Sequence, residues 1–195
     1  MPGTYKATLS LVAKGETREL AGAVPFVCKP LGIASFPAND LNSKYGWIKE
    51  MSEFSRNMYG TISFAGELQK KVNTVRQAIH QTPGATSDII REGERINTEL
   101  ENIIFLIEGP QAKASQEEVP PMEMPLAQRL SEMAYASYGT SGDISTIAKE
   151  QLDILKVDFP PILERIKKVN LDLQQLDKQL DAIKAPWTPG RIPVL

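Results

Sequence analysis

The sequence has very little of the chemistry that metal sites and nucleophilic sites use, since its 195 residues include one cysteine and one histidine. A lone cysteine, Cys28, excludes an internal disulfide and is typical of a small apolar side chain in a strand. A lone histidine excludes zinc sites and catalytic sites built from several histidines. A Cys28–His80 pair stays as an alternative, but the two are far apart in sequence. His80 is more typical of a helix C-terminus, where a cation is favoured.

Charge of one sign and long apolar runs are also missing. The 22 basic residues oppose 24 acidic residues, so the net charge of -2 supplies no field that would hold a nucleic-acid backbone. The short basic cluster around Lys167 is partly neutralised by Glu164 and is typical of a solvated helix face. The longest aliphatic and aromatic run, 103–107, is far shorter than the ~20 residues of a membrane helix. We expect neither a nucleic-acid partner nor a membrane span.

The sequence also contains no clear pattern of paired catalytic carboxylates or of a phosphate-binding loop. The acidic residues between Glu92 and Glu108 alternate with Arg91 and Arg95 at helical spacing, which indicates a solvated face rather than a calcium or acid–base site. The stretch TPGAT lacks the lysine and the spacing of a phosphate-binding loop. We therefore expect no catalytic residue, no cofactor and no metal site, and we do not expect this chain to be an enzyme.

Aromatic side chains give the one weak binding signal. They could line a groove, although aromatic residues at helical spacing more often pack in a core, and that alternative also covers Tyr59. Arg191, in the C-terminal stretch, is a further weak candidate. The binding candidates are Trp47, Tyr135, Tyr138, Trp187 and Arg191.

A β-hairpin is predicted at the N-terminus, over residues 4–28. Apolar residues alternate with polar ones from Tyr5 to Leu11, which is the period of a half-buried strand, and a turn follows at 14–16. The second strand is weaker, because Gly22 and Pro25 suit an edge or a bulge.

Two strands alone do not form a stable sheet, so the hairpin needs a partner. We expect Leu9, Leu11 and Phe26 to be covered in one of two ways. Either the hairpin packs beside the start of the first helix, or it pairs edge to edge with another copy of the chain.

The remaining sequence predicts four helices, and its 42% hydrophobic content is enough for an ordinary core. A loop over 109–124, with three prolines and no apolar period, separates the second helix from the third. The first predicted helix runs over 41–80 after a cap at Asn39-Asp40, and the second runs from Thr86 or Ser87 to Glu108. The third runs from Pro125 to Tyr138, and the last runs from a cap at Asp143 or Ser141 to Ile183. The apolar face of the third helix is expected to contain Leu126, Leu130, Met133 and Tyr138.

Two adjacent prolines, Pro160 and Pro161, fall inside the last helix. Apolar residues from Leu152 to Ile183 are separated alternately by three and four residues, a heptad seam that keeps its phase through the prolines. We therefore expect one kinked helix. The alternative is that Asp158 caps a second helix that restarts there.

Helix lengths predict the architecture. The first and last helices, of about 40 residues each, would span about 60 Å, and the second and third together are about as long. The expected fold is mainly α, an antiparallel three-legged bundle with a broken middle leg, preceded by the β-hairpin. The expected domains are 1–37 for the hairpin and linker, 38–185 for the bundle and 186–195 for a capping tail.

The C-terminal stretch KAPWTPGRIPVL, preceded by VDFPPILERIKKVNLDLQQLDKQLDAI, resembles the end of bacterial sortilin-like proteins, often labelled glycosyl hydrolases with BNR-type propeller repeats. PGTYKATLSLVAKGETRELAGAVPFVCKP, AIHQTPGA and PLAQRLSEMAYASYGTSG are similar to other parts of that family, in the same order. Propeller repeats are missing from this sequence. The resemblance implies a fragment that followed a propeller domain, which would be its partner.

The resemblance also implies a function and a location. The chain would be a non-catalytic accessory or scaffolding domain, extracytoplasmic or secreted; the alternative is a carbohydrate-binding or enzyme-assisting module. Residues 1–37 would contain the remnant of an immunoglobulin-like sandwich, with Tyr5 near the start of a late strand. Such an orphaned hairpin makes a homo-oligomer possible. Physically, the motif fits a type II turn over 188–191, with Trp187 covering the end of the bundle.

Overall fold

The structure is a computed structural model that describes residues 2–110, 112, 115, 117, 119 and 121–192. In these residues two strands precede four helices, which confirms the predicted fold class. Parts of the predicted 109–124 loop and of the C-terminal tail lie outside the described residues. The elements are β1 (Gly3–Ala13), β2 (Glu16–Cys28), α1 (Leu41–His80), α2 (Ser87–Glu108), α3 (Leu126–Tyr138) and α4 (Thr146–Ala182).

The chain divides into two compact units, which are described separately. The N-terminal unit consists of Met1–Trp47 with Thr140–Asp143, and the helical unit of Ile48–Gly139 with Ile144–Leu195. No helix in the described part of the chain is both long and apolar enough to cross a membrane.

In the N-terminal unit, β1 and β2 form an antiparallel hairpin. The connecting residues Lys14 and Gly15 both have positive φ, 52° and 82°, as a two-residue type I′ turn requires. The pairing steps from Ala7↔Val24 to Leu9↔Ala21, so β2 carries an extra residue in the segment that contains Gly22. This agrees with the bulge that the sequence predicts.

The expected intramolecular cover of the hairpin is wrong. Leu9, Leu11 and Phe26 are 61%, 47% and 50% exposed, and the residues of both strands are exposed throughout. The start of the first helix therefore does not bury these three side chains.

Local hydrogen bonds fix the beginning of α1. Asp40 Oδ1 accepts from the backbone N–H groups of Asn42 and Ser43, at 2.8 and 3.2 Å, which confirms Asp40 as a cap. The buried Lys44 donates from Nζ to two backbone carbonyls of the 140–143 segment, at 2.6 and 2.8 Å. The unpaired carbonyls of that loop thus gain a charged donor.

The cap of α4 differs from the prediction. Asp143 accepts instead from the backbone N–H and side-chain amide of Asn39, so its carboxylate is already engaged. Ser145 is the N-cap, and its Oγ accepts from the N–H of Ala148 at 3.1 Å. Ser141 Oγ donates to Phe36 O and does not cap the helix either.

The ends of α2 follow the sequence closely. Thr86 is the N-cap and its Oγ1 accepts from Ile89 N. Gly109 ends the helix with φ 78°, and its N–H donates to Phe105 O at 2.8 Å. Pro125, expected as the first residue of α3, is the residue just before it.

The last helix continues through both prolines, as predicted, and the alternative of a restart at Asp158 is wrong. Pro160 and Pro161 are exposed, and so are Lys156 and Val157, whose carbonyls lose their helical donors. Because these carbonyls lie on the solvent side, water can satisfy them. The seam residues from Leu152 to Leu180 are buried, and Ile183 is half-buried.

On α3 the predicted apolar face is correct at three positions and wrong at the fourth. Leu126, Leu130 and Met133 are buried, but the next buried position is Ser137 rather than Tyr138. Ser137 continues the spacing of four, three and four, and its hydroxyl donates to Met133 O at 2.6 Å, so the buried polar atom is satisfied. Tyr138 lies about 100° further round the helix and is 69% exposed.

Candidate functional site

The C-terminal motif binds to itself. Arg191, with a side chain only 6% exposed, donates from Nη1 to Pro186 O at 2.7 Å and from Nη2 to Ala185 O at 3.3 Å. Its Nε donates to Asp181 Oδ1 at 2.8 Å. The Trp187 indole donates from Nε1 to Arg191 O at 2.7 Å, although its ring is 58% exposed. The polar donors of both candidates are therefore used within the tail and at the end of α4.

The turn in this motif has the predicted geometry. Arg191 N donates to Thr188 O at 3.2 Å, and Gly190, the third residue of the turn, has φ 92°. A Cβ at Gly190 would lie 3.2 Å from Lys71 Nζ, so the turn lies directly against α1. Both the positive φ and this close approach favour glycine.

A buried ion pair lies beneath this turn and was missed in the sequence. Lys71 Nζ on α1 is 2.5 Å from Asp177 Oδ2 on α4, and their side chains are 20% and 11% exposed. Asp177 lies four residues after Leu173 and three before Leu180. This spacing places Asp177 next to the apolar seam of α4, and it is the sequence signal from which its burial could have been predicted.

Charged residues of α2 bind the neighbouring legs. Glu94 accepts two hydrogen bonds from Arg76 of α1, at 3.0 and 2.8 Å, and Glu99 accepts one from Arg165 of α4 at 2.8 Å. This hydrogen bond lowers the pKa of Glu99 and raises the pKa of Arg165. The acidic run is therefore more than a solvated face, because it links helices.

A second link joins α2 to α4 through Arg95. Its guanidinium binds Glu92 on its own helix and Asp172 on α4, at 2.7 and 2.5 Å. The hydrogen bond from Arg95 lowers the pKa of Glu92. The pKa shift of Glu92 thus arises within α2, while the same guanidinium reaches α4 through Asp172.

Within the helical unit, the two tyrosine candidates do not converge with Trp187. Tyr135 and Tyr138 are 88% and 69% exposed on α3, whereas Trp187 follows the far end of α4. The 37 residues of α4 separate them by about 55 Å. Trp47 is half-buried and belongs to the N-terminal unit. The core-packing alternative is wrong for these two tyrosines, for Trp187 and for Tyr59, which is 50% exposed.

A shallow cleft of about 360 Å³ lies between α1 and α2 in the helical unit. Ile62, Ala65, Ile104 and Ile107 form its apolar floor, with Gln69 and Glu108 among its polar lining residues. Among the described residues, no group of three or more His, Cys, Asp or Glu side chains is placed to hold a metal ion.

The hairpin carries a group of exposed apolar side chains. The cross-strand pairs Tyr5↔Phe26, Ala7↔Val24 and Leu9↔Ala21 place their side chains on one side of the sheet. The rings of Tyr5 and Phe26 stack with centroids 5.8 Å apart. We call this surface the apolar hairpin face; its large members are Tyr5, Leu9, Leu11, Val24 and Phe26, which are 40% to 62% exposed.

Apolar residues also occupy the opposite side of the hairpin, where Val12 is 72% and Val27 61% exposed. Exposed apolar surface of this extent marks contact sites on proteins. The hairpin is therefore the candidate functional site.

Comparison with protein-family models, curated proteins and solved structures found no match to this chain.

Proposed function

We propose that this chain is a non-catalytic scaffolding domain that acts through protein contact, with the hairpin as its contact element. The observation that carries the proposal is the apolar hairpin face. Covering it is worth about 25 cal/mol for each Å² of apolar surface removed from water. A partner that buries it would stabilise both itself and the hairpin.

The charged groups of the helical unit join its own helices, which supports a structural role. Ion pairs join α1 to α2, α2 to α4 and α1 to α4. Arg191 fastens the tail to the end of α4. The charged groups with shifted pKa values, those of Glu92, Arg95, Glu99 and Arg165, serve these contacts.

The C-terminal motif extends the proposal to a parent protein. Its resemblance to bacterial sortilin-like proteins supports an accessory domain that contacts a propeller in a larger, extracytoplasmic protein. The internal bonding of Trp187 and Arg191 gives the motif a structural role at the end of α4.

Calorimetric titration of this chain with the remainder of its parent protein tests the proposal. We expect binding that Leu9→Asp and Phe26→Asp weaken, because each places a charge on the apolar hairpin face. Tyr59→Ala, on the exposed side of α1, is the control and should bind normally. Hydrolysis of glycosides by this chain alone would contradict a non-catalytic domain.

A carbohydrate-binding function is the second candidate, and Tyr135 with Tyr138 favours it. Two exposed rings three residues apart lie on neighbouring positions of one helix, and aromatic faces are apolar surfaces for sugar rings. Titration with a panel of soluble glycans should give heat that Tyr135→Ala abolishes and Tyr59→Ala leaves unchanged. Identical heats for the two variants would exclude this site.

A further inference from the structure

The two outer edges of the hairpin differ. Among the described residues the sheet contains two strands, so each strand pairs with another strand on one side. β2 has 13 residues against 11 in β1, and both register shifts place the additional residues in β2. Bulges bend and twist an edge away from a second partner.

The sequence of β2 protects its edge further. Pro25 cannot donate a backbone hydrogen bond, and Gly22 weakens the strand. Charged residues occupy the other end, at Glu16, Arg18 and Glu19. Prolines, bulges and charges are the features with which proteins prevent strand addition at an edge.

The edge of β1 has only one of these features, a single charge. The extra residues at both register shifts, which lie beside Leu9 at the middle of β1, belong to β2, so β1 itself has no inserted residue. It contains no proline, and its glycine is the first residue, Gly3. Lys6 is its one charged residue. An 11-residue edge without proline or an inserted residue is a template for another strand.

β1 is also complementary to itself. In an antiparallel pair centred on Thr8, all 11 residues of two copies pair. Tyr5 then lies opposite Leu11, and Ala7 opposite Leu9, so apolar residues meet on the same side of the sheet. Lys6 lies opposite Ser10, which leaves no like charges directly opposed.

We propose that two copies of this chain associate through antiparallel β1–β1 pairing centred on Thr8, which forms a continuous four-stranded sheet. The pairing satisfies backbone groups along β1 and joins the two apolar hairpin faces side by side. Three or more strands with an apolar face are what independent stability of a sheet requires. The proposal rests on the proposed function, because it adds a second copy at the β1 edge as a further protein contact of the hairpin and leaves the joined apolar hairpin faces for the parent protein.

Charged substitutions at Thr8, the centre of the proposed β1–β1 pairing, test this proposal. The symmetry places Thr8 opposite Thr8 of the other copy, so Thr8→Lys and Thr8→Asp each oppose like charges. Analytical ultracentrifugation of the full chain should give twice the chain mass of 21.5 kDa for the unsubstituted protein and 21.5 kDa for either variant alone. An equimolar mixture of the two variants should recover the doubled mass, because lysine then faces aspartate.

Matched substitutions on the other strand are the control. Thr17→Lys and Thr17→Asp change the same residue type on β2, so each should keep the doubled mass. Circular dichroism confirms that the helices of every variant are intact.

A monomeric unsubstituted chain across the micromolar range would overturn the proposal. So would dimeric Thr8 variants, loss of the dimer in the Thr17 variants, or a mixture that stays monomeric. Failure of the proposed function is distinct, since it would appear as glycoside hydrolysis or as absent binding to the parent and would leave the mass unchanged.

Discussion

The guanidinium of Arg191 holds the tail against the end of α4. It donates to two backbone carbonyls, those of Ala185 and Pro186, and to the carboxylate of Asp181. Only arginine presents several donors in a planar fork, so lysine at this position would keep the charge but lose most of the hydrogen bonds. One side chain thereby fixes the backbone from 181 to 191.

Leu173 provides a sharp test of the seam at the residue scale. It is fully buried, so Leu173→Ala removes apolar contacts and leaves a cavity, which should lower the free energy of unfolding by ~2 to 5 kcal/mol. Lys178, five residues later on the same helix, is exposed, and Lys178→Ala should change the free energy of unfolding by less than about 0.5 kcal/mol. Urea unfolding measures both. Equal effects would mean that the seam does not form the core.

At the scale of single elements, α4 is one continuous helix whose stability is lowered by its two prolines. Pro160 and Pro161 are exposed, so alanine at both positions loses little packing and restores the donors for the carbonyls of Lys156 and Val157. A proline in a helix interior costs about 3 kcal/mol relative to alanine, so we expect the double variant to be more stable by about 1 kcal/mol or more. Thermal and urea unfolding measure the gain.

Lys149→Ala, at an exposed non-proline position of the same helix, is the control and should have little effect. A destabilised proline variant would show that the core requires the local helix geometry at the two prolines.

The contact between α2 and α4 should depend on pH through Glu99. The hydrogen bond from Arg165 holds the pKa of Glu99 below its ordinary value of 4.5, so the folded state binds that proton more weakly than the unfolded chain. The stabilisation is present above the ordinary value and is lost as the pH falls through the lowered one.

Glu99→Gln should therefore lower the free energy of unfolding at neutral pH by ~0.2 to 1 kcal/mol, the range for partly exposed ion pairs. The difference from the unsubstituted protein should shrink as the pH falls below 4.5 and through the lowered pKa of Glu99, because the carboxyl then becomes protonated in both the folded and the unfolded state. Urea unfolding over a series of pH values measures it, and Glu150→Gln on the exposed side of α4 is the control. A difference that grows in acid would contradict the assigned sign.

Elements with strong periodic signals could be predicted from the sequence. The bounds of α1, the Thr86 cap, the Gly109 terminus and the turn at Gly190 follow from local chemistry that no distant contact overrides. The cap of α4 could not be predicted, because Asp143 is engaged by Asn39, which lies 104 residues away in sequence.

The candidate site was harder to predict for a related reason. Which aromatic side chains are exposed depends on which helix faces meet, and Tyr138 differs from Ser137 by a single step around α3. The exposure of both sides of the hairpin follows from tertiary packing too. Alternation in β1 indicates a strand, but it does not say what covers the apolar side.

At the scale of the whole molecule, the two units differ in how much surface they bury. The helical unit contains fully buried large side chains on all four helices, including Met51, Leu100, Leu130 and Leu173. The hairpin contains only exposed residues. Local stability follows buried apolar contacts, so opening of the hairpin should require far less free energy than opening of the helices.

Hydrogen exchange detected by mass spectrometry tests this difference. In dilute solution, amides in β1 and β2 should exchange rapidly because a two-stranded hairpin is marginal alone, while those of α4 around Leu173 should exchange only through global unfolding. Raising the protein concentration should slow exchange in β1 more than in β2, since the pairing partner adds to the β1 edge. The Thr8→Asp variant is the control and should show no such dependence. Hairpin amides as slow as those of α4 in a dilute sample of that variant would mean that something other than a second copy stabilises the strands.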